Sequence, residues 1–252
     1  MNNELQAIYF LWKRELIRFF RAKSRIIGSL GMPFFFLAII GTGLNGVMGA
    51  QIDGTNYITF MTPGILSMVI LMASIFSGII VIMDRQFGFL KETLVAPVQR
   101  TSIIIGKSLG GATTALIQGV LMLAVAMLLG VTFDWSNMLL AFLVLGIVSL
   151  SFVALGIAMG SVMEDMHGFQ LVMNFLIMPM FFLSGAIFPL SSAPEAVRII
   201  SYFDPLTYSV EALRSLLIGY SAIPLGTSLG VLVGFWVVTT GLAVYLFNKI
   251  ES

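Results

Sequence analysis

The sequence predicts an all-α, polytopic membrane protein with six transmembrane helices, and three observations carry that prediction. Hydrophobic residues fill 58% of the 252 positions and charged residues only 10%, against roughly 25% charged in ordinary soluble domains. A water-soluble fold of this length has too little interior to hide that much apolar surface. The mean hydropathy is +1.02, so lipid is the solvent for most of the chain, and in lipid every backbone N–H and C=O must be paired within helices or a closed barrel. The apolar residues come in unbroken runs of about 20, not in alternating segments of about ten, which selects helices.

The runs cover residues 26–46, 57–83, 103–130, 138–163, 169–190 and 225–247. The second, third and fourth exceed the length needed to span, which leaves room for tilt or for extension beyond the lipid. Lys13, Arg14, Arg18, Arg21, Lys23, Arg25, Arg85, Lys91, Arg100, Lys107 and Lys249 fall on one side of this topology, and only Arg198 and Arg214 on the other. By the positive-inside rule both termini are cytoplasmic. A secretory signal is not expected, because 25 residues precede the first run and a Gly-rich stretch follows it. Residues 1–252 read as a single transmembrane domain, with no linker, repeat or low-complexity tract.

A net charge of +1 gives no reason to expect nucleic acid as a partner. Zero cysteines and a lone His167 offer no thiolate or histidine metal site. No cofactor-binding or catalytic site is expected in this chain.

Four segments are more than spans. In the first, 1–25, Leu5, Ile8, Tyr9, Trp12, Leu16 and Phe19 recur at helical spacing, and Arg14, Arg18, Arg21 and Arg25 form a second stripe. This predicts a helix in the cytoplasmic interface, aromatics in lipid and arginines near phosphate. Trp12, Arg14, Arg18 and Arg21 are the candidate residues, serving as a topology anchor or as a lever at the inner mouth of a translocation path.

In the second segment, 84–102, Asp84 is placed to cap a short helix, Phe87, Leu90 and Leu94 fall on one face, and Pro97 ends the run. With Arg85, Lys91 and Glu92 it makes an amphipathic helix that rests on lipid or docks into a groove on a soluble partner. The third segment, 190–222, holds Ser192 and Glu195 at capping-box spacing, Asp204 before Pro205, and Gly219 as a stop, which implies two short helices. Glu195 with Arg198 and Glu211 with Arg214 stand at i, i+3. The hairpin is a surface cap or an outer gate. The fourth, Glu164 to Gly168, reads as a solvated turn.

Gly106-Lys107-Ser108 resembles the end of a phosphate-binding loop, but Thr101 stands where that loop needs its first glycine. Lys107 is expected to snorkel to the interface. The six spans hold no ionisable residue away from their ends, which argues against a proton-coupled carrier. An ion-gradient-driven transporter or channel remains the alternative, because sodium sites can be built from carbonyls and hydroxyls. Gln118 and Asn174 are expected to bond helix to helix, and Gly156 and Gly160 to mark tight packing within the chain. Methionines and phenylalanines crowd the fifth span, where Asn174, Met178, Phe181 and Phe182 form a possible substrate path. Pro179 should loosen or kink that span.

Three stretches carry a family resemblance: FLKETLVAPVQRTSIIIGKSLGG (89–111), NFLIMPMFFLSGAIFPLSSAP (174–194) and DPLTYSVEALRSLL (204–217). With the span order they make nearly the whole chain similar to type-2 ABC exporter permeases, the membrane subunits of multidrug, antibiotic, polysaccharide and lipid-linked exporters. The resemblance implies a coupling helix within 84–97, an N-terminal interfacial helix at an inner gate, and a re-entrant helical hairpin between the fifth and sixth spans. It also implies a plasma (inner) membrane location and a second permease copy or paralogue. Two cytosolic ATPase subunits would carry ATP and Mg. The uncharged interior then suits an apolar or amphiphilic cargo.

Overall fold

The computed structural model describes residues 3–44, 51–52, 55–95 and 97–250; the side chains of Arg25, Gln51, Ile52, Thr55, Lys91 and Leu94 lie outside that description. Helix α1 (Asn3–Arg21) ends where Ala22 leaves helical geometry, and α2 (Lys23–Phe35) runs into a π-helical turn (Phe36–Gly41) just past Pro33. Two-residue strands β1 (Gln51–Ile52) and β2 (Thr55–Asn56) pair antiparallel, with Gln51 opposite Asn56. Then follow α3 (Tyr57–Ile75), α4 (Ser77–Gln86) and the short α5 (Phe89–Val95). The long α6 (Arg100–Leu128) and α7 (Met138–Val162) precede α8 (Met166–Leu183). Helices α9 (Glu195–Ser201), α10 (Pro205–Ile218) and α11 (Leu225–Asn248) complete the order.

Six helical stretches among the described residues are long and apolar enough to cross a membrane: Ile26–Leu44, Tyr57–Gln86, Arg100–Leu128, Trp135–Val162, Met166–Leu183 and Leu225–Asn248. They coincide with the six runs in the sequence to within a few residues, except at the end of the fifth. That helix stops at Leu183, short of residue 190, because Gly185 takes a left-handed φ of 74° and turns the chain. Pro179 lies inside α8 without ending it.

The second span is the hub: most of its residues are buried, whereas the first, fifth and sixth spans leave most of theirs uncovered. The first, fifth and sixth therefore form the periphery. Phe60, Met61, Phe152, Phe169 and Phe181 are fully buried within the bundle. Phe76 breaks the hub into α3 and α4, and there α4 crosses α7 with backbones in contact. A Cβ on Gly156 would lie 2.5 Å from the Ile75 carbonyl oxygen, and one on Gly160 would strike the Gly78 carbonyl. The Gly156/Gly160 pair thus packs helices within one chain.

The segment between the last two spans departs from expectation. Helix α10 packs on α3, α7 and α11 and is buried on nearly all sides, so it is no surface cap. Asp204 caps it, its Oδ1 accepting from Leu206 N at 2.9 Å, Pro205 takes the first helical position, and Gly219 closes it at φ 72°. The expected capping box at α9 does not form. Pro194 forces Ala193 into extended geometry, so the helix starts only after the proline, while Ser192 Oγ donates to the Pro189 carbonyl. Glu195 and Arg198 are exposed and make no ion pair among the described residues.

Candidate functional site

The charged residues converge at one end of the bundle. Helix α1 lies against α6 because Gly106 and Gly110 present no side chains: a Cβ there would come 2.9 Å from Leu11 Cβ and 2.6 Å from Glu15 Cβ respectively. Trp12 Nε1 donates to Thr113 Oγ1 at 3.1 Å, and Ser29 Oγ donates to Gln118 Oε1 at 2.5 Å, so α1 and α2 are both bonded to α6. The helix-to-helix bond expected of Gln118 is present. Trp12 and Phe19 belong to this docked face, not to lipid as the sequence suggested; Leu5, Tyr9, Phe10, Ile17 and Phe20 are the large apolar residues that α1 leaves outside.

At the centre of this end stands Asp84, only 2% exposed in the last turn of α4. Its Oδ2 accepts from Arg14 Nη2 at 2.7 Å and from Lys107 Nζ, and its Oδ1 accepts from Arg18 Nη2 at 3.3 Å. Glu15, 5% exposed, adds a second carboxylate 3.4 Å from Arg14 and 3.9 Å from Arg18. Burying any of these charges alone would be costly, and together they make a network joining α1, α4 and α6. Three expectations are corrected here. Asp84 does not cap the amphipathic helix, Lys107 does not snorkel out but is 4% exposed, and Arg14 and Arg18 turn inward while Arg21 stays exposed. Sequence reading missed Glu15 altogether; its signal was a carboxylate on the docked side of α1, next to Arg14.

Below Asp84, Gly88 adopts φ 80° and α5 starts at Phe89. Leu90 is buried in a cluster with Val81, Ile103 and Ile104, whereas Phe87, Phe89, Glu92 and Val95 are exposed. Phe87 precedes the helix and so does not share a face with Leu90. The side chains of Lys91 and Leu94 lie outside the described set. Arg85 Nη2 stands 3.2 Å from Glu164 Oε1 and Gln86 Nε2 donates to the Glu164 carbonyl at 2.9 Å, which ties α4 to the turn before α8. Asp165 caps α8 by accepting from His167 N and Gly168 N, and those bonds hold its carboxyl below the usual range. Glu4 accepts from Gln99 N at 3.1 Å, and Arg100 Nη1 donates to the Asn248 and Ile250 carbonyls at 2.8 and 3.1 Å. Both ends of the described chain therefore meet at this face of the bundle.

At the opposite end, Glu211 and Arg214 form a sealed ion pair, 0% and 1% exposed. Arg214 Nη2 donates to the Gly185 carbonyl at 2.9 Å and its guanidinium lies 3.9 Å from the Phe60 ring centroid. Glu211 Oε2 accepts from Ala222 N at 2.5 Å and Ile223 N at 3.3 Å. The pair staples α10 to the turn after α8 and to the lead into α11.

A match to the ABC-2 type transporter family extends over residues 6–218, most of the chain. The chain belongs to this family. The ABC-2 chain is 29% identical over 243 residues to Nodulation protein J of Rhizobium meliloti (strain 1021), covering 96% of this chain and 90% of that protein. It is 30% identical over 225 residues to Nodulation protein J of Rhizobium leguminosarum bv. viciae, covering 88% and 86%. With the Inner membrane transport permease YadH of Escherichia coli (strain K12) it shares 27% identity over 236 residues, covering 91% and 90%. It is a multi-pass membrane permease of an ABC transporter, a class whose energy comes from an ATPase partner.

The four fifth-span residues of this ABC-2 permease do not share one face. Phe181 is fully buried, edge-on to the Phe36 ring at 5.7 Å, whereas Asn174, Met178 and Phe182 point outward with Leu171 and Phe175. Asn174 makes no hydrogen bond among the described residues, so the helix-to-helix bond expected of it is not formed. No group of three or more His, Cys, Asp or Glu that could hold a metal occurs among the described residues.

Proposed function

We propose that this chain is the membrane subunit of an exporter, moving an apolar or amphiphilic cargo (drug, lipid-like or glycan-linked) out of the cytoplasm. Power comes from ATP hydrolysed with Mg on two copies of a separate cytosolic subunit. The observation that supports this reading best is the Asp84 network. Phe87 just ahead of helix α5, and Phe89, Glu92 and Val95 on it, are offered to a partner while Leu90 anchors the helix beneath α4. A push on α5 reaches α4, and through Asp84 it reaches α1 and α6 at once. Two-state elements of this kind convert a partner's closure into a shift of the bundle.

In this reading the charged end faces the cytoplasm with both termini, in an inner membrane like that named for the Escherichia coli relative. Trp12, Arg14, Arg18 and Arg21 belong to the inner gate. Helices α9 and α10 form a hairpin that re-enters from the outer face, a reading the burial of α10 supports. The poorly buried first, fifth and sixth spans meet lipid and a second permease copy, with Asn174, Phe175, Met178 and Phe182 lining the cargo path between copies.

The test is reconstitution in liposomes with and without the ATPase subunit. Export should require ATP and the partner, the permease alone should hydrolyse none, and Phe89→Asp or Glu92→Lys should lower transport without unfolding the bundle. Flux that follows an imposed ion gradient with no ATPase present would overturn the proposal.

A further inference from the structure

Beside the Asp84 network lies an open cleft lined by Arg14, Ile17, Arg18, Arg21 and Ala22. No carboxylate lines it among the described residues. Around it, four cations (Arg14, Arg18, Arg21 and Lys107) face two anions (Asp84 and Glu15), an excess of two positive charges. Arg21 is exposed and makes no ion pair among the described residues. Arg14 and Arg18 keep 32% and 34% of their side chains exposed while paired to Asp84, so their guanidinium groups remain open to a further acceptor on the cleft side. A cluster of this composition matches a phosphate, which accepts from several guanidinium donors at once.

The position of the cleft selects the source of that phosphate. Ala22, which lines it, is the elbow between α1 and the helix that becomes the first span at Ile26. The cleft is therefore level with the membrane interface. Ile17 lines it too, and Ile17, Phe20 and Ile27 continue from it as exposed apolar residues. A phosphate bound between Arg14, Arg18 and Arg21 would leave acyl chains lying along that apolar strip.

We propose that this cleft binds the phosphate headgroup of an anionic membrane lipid, which supplies the counter-charge the Asp84 network lacks. The lipid holds the α1–α2 elbow against the bundle, and the site is distinct from the cargo path on α8.

The chain has no cysteine, so Ile17→Cys gives one labelling site for an environment-sensitive dye at the mouth of the cleft. The full-length labelled protein is placed in phosphatidylcholine nanodiscs with rising fractions of phosphatidylglycerol. A parallel arm adds inorganic phosphate to pure phosphatidylcholine discs. The expected result is a saturable spectral change at low phosphatidylglycerol fraction, weakened roughly tenfold by Arg21→Gln and largely kept by Arg21→Lys. Because Arg21 has no partner in the Asp84 network, these variants keep the fold. Arg18→Gln serves as a second test, read only where its circular dichroism matches the parent. A change that is linear in lipid charge, or unaltered by Arg21→Gln, would overturn the site. The same response to inorganic phosphate alone would overturn the lipid as occupant.

Discussion

Replacing Asp84 by Asn tests whether the charged end is held by a buried network or by incidental surface pairing. Arg14 and Arg18 are 32% and 34% exposed, so their share of the interaction is screened and amounts to at most about 1 kcal/mol each. Lys107 is only 4% exposed, and Asp84→Asn would remove its one hydrogen-bonded counter-charge, leaving only the weaker attraction of Glu15. Stranding one member of a buried pair costs about 3–5 kcal/mol. The expected loss is therefore in that range and comes chiefly from Lys107. Lys107→Met should cost less, because Asp84 keeps two arginines. The double variant Asp84→Asn/Lys107→Met should be more stable than Asp84→Asn alone, since the stranded charge is gone. Unfolding of the purified protein in mixed micelles, followed by far-ultraviolet circular dichroism, gives all three values. A loss below about 1 kcal/mol for Asp84→Asn, or purely additive effects in the double variant, would refute the argument.

Three further outcomes follow from the same structure. Burial pushes the Asp204 carboxyl up to about 7 from 3.8, so the fold holds a proton that the unfolded chain releases, and stability declines as pH rises from about 4 to about 7. Asp204→Asn keeps a capping oxygen and should match the parent near pH 4 but exceed it above pH 7, by up to about 4 kcal/mol, in melting scans across that range; parallel profiles would contradict this. Gly156→Val would drive a side chain into the Ile75 carbonyl and should cost about 3 kcal/mol or more, read as loss of monodisperse protein, while Gly234→Ala, with open space around its Cβ, should be neutral. Glu211→Gln should destabilise by about 3–5 kcal/mol by stranding Arg214, and Glu195→Gln by less than about 0.5 kcal/mol in the same denaturation assay.

Periodicity and composition made the six spans legible, since a run of about 20 apolar residues has few alternatives in a folded chain. Helix α10 was equally legible, because Asp204, Pro205 and Gly219 each act locally. What local pattern could not supply was depth. Asp84 ends an apolar run and therefore reads as an interfacial cap, yet its partners stand 23, 66 and 70 residues away and draw it inside. Glu211 and Arg214 show their pairing at i, i+3, but nothing in their spacing tells a sealed pair from a solvated one. The failed box at Ser192 had a local cause that the sequence did contain: a proline at 194 keeps residue 193 out of helical geometry.

The two charge networks differ in a way that bears on motion. Glu211 and Arg214 are closed to water and anchored by backbone groups of two separate loops, so separating them strands a charge and three hydrogen bonds together. That end of the bundle is built to stay fixed. The Asp84 network has one sealed contact, to Lys107, and two to arginines that keep about a third of their surface in solvent. The arginines can let go of Asp84 and be rehydrated at about 1 kcal/mol apiece, while Lys107 keeps the carboxylate neutralised. Helix α1 can therefore part from α4 without α4 parting from α6. On the proposed coupling through α5, a partner's push would change the angle of α1 against α4 while its packing on α6 at Gly106 and Gly110 serves as the pivot, and the proposed lipid cleft lies on the moving side of that hinge.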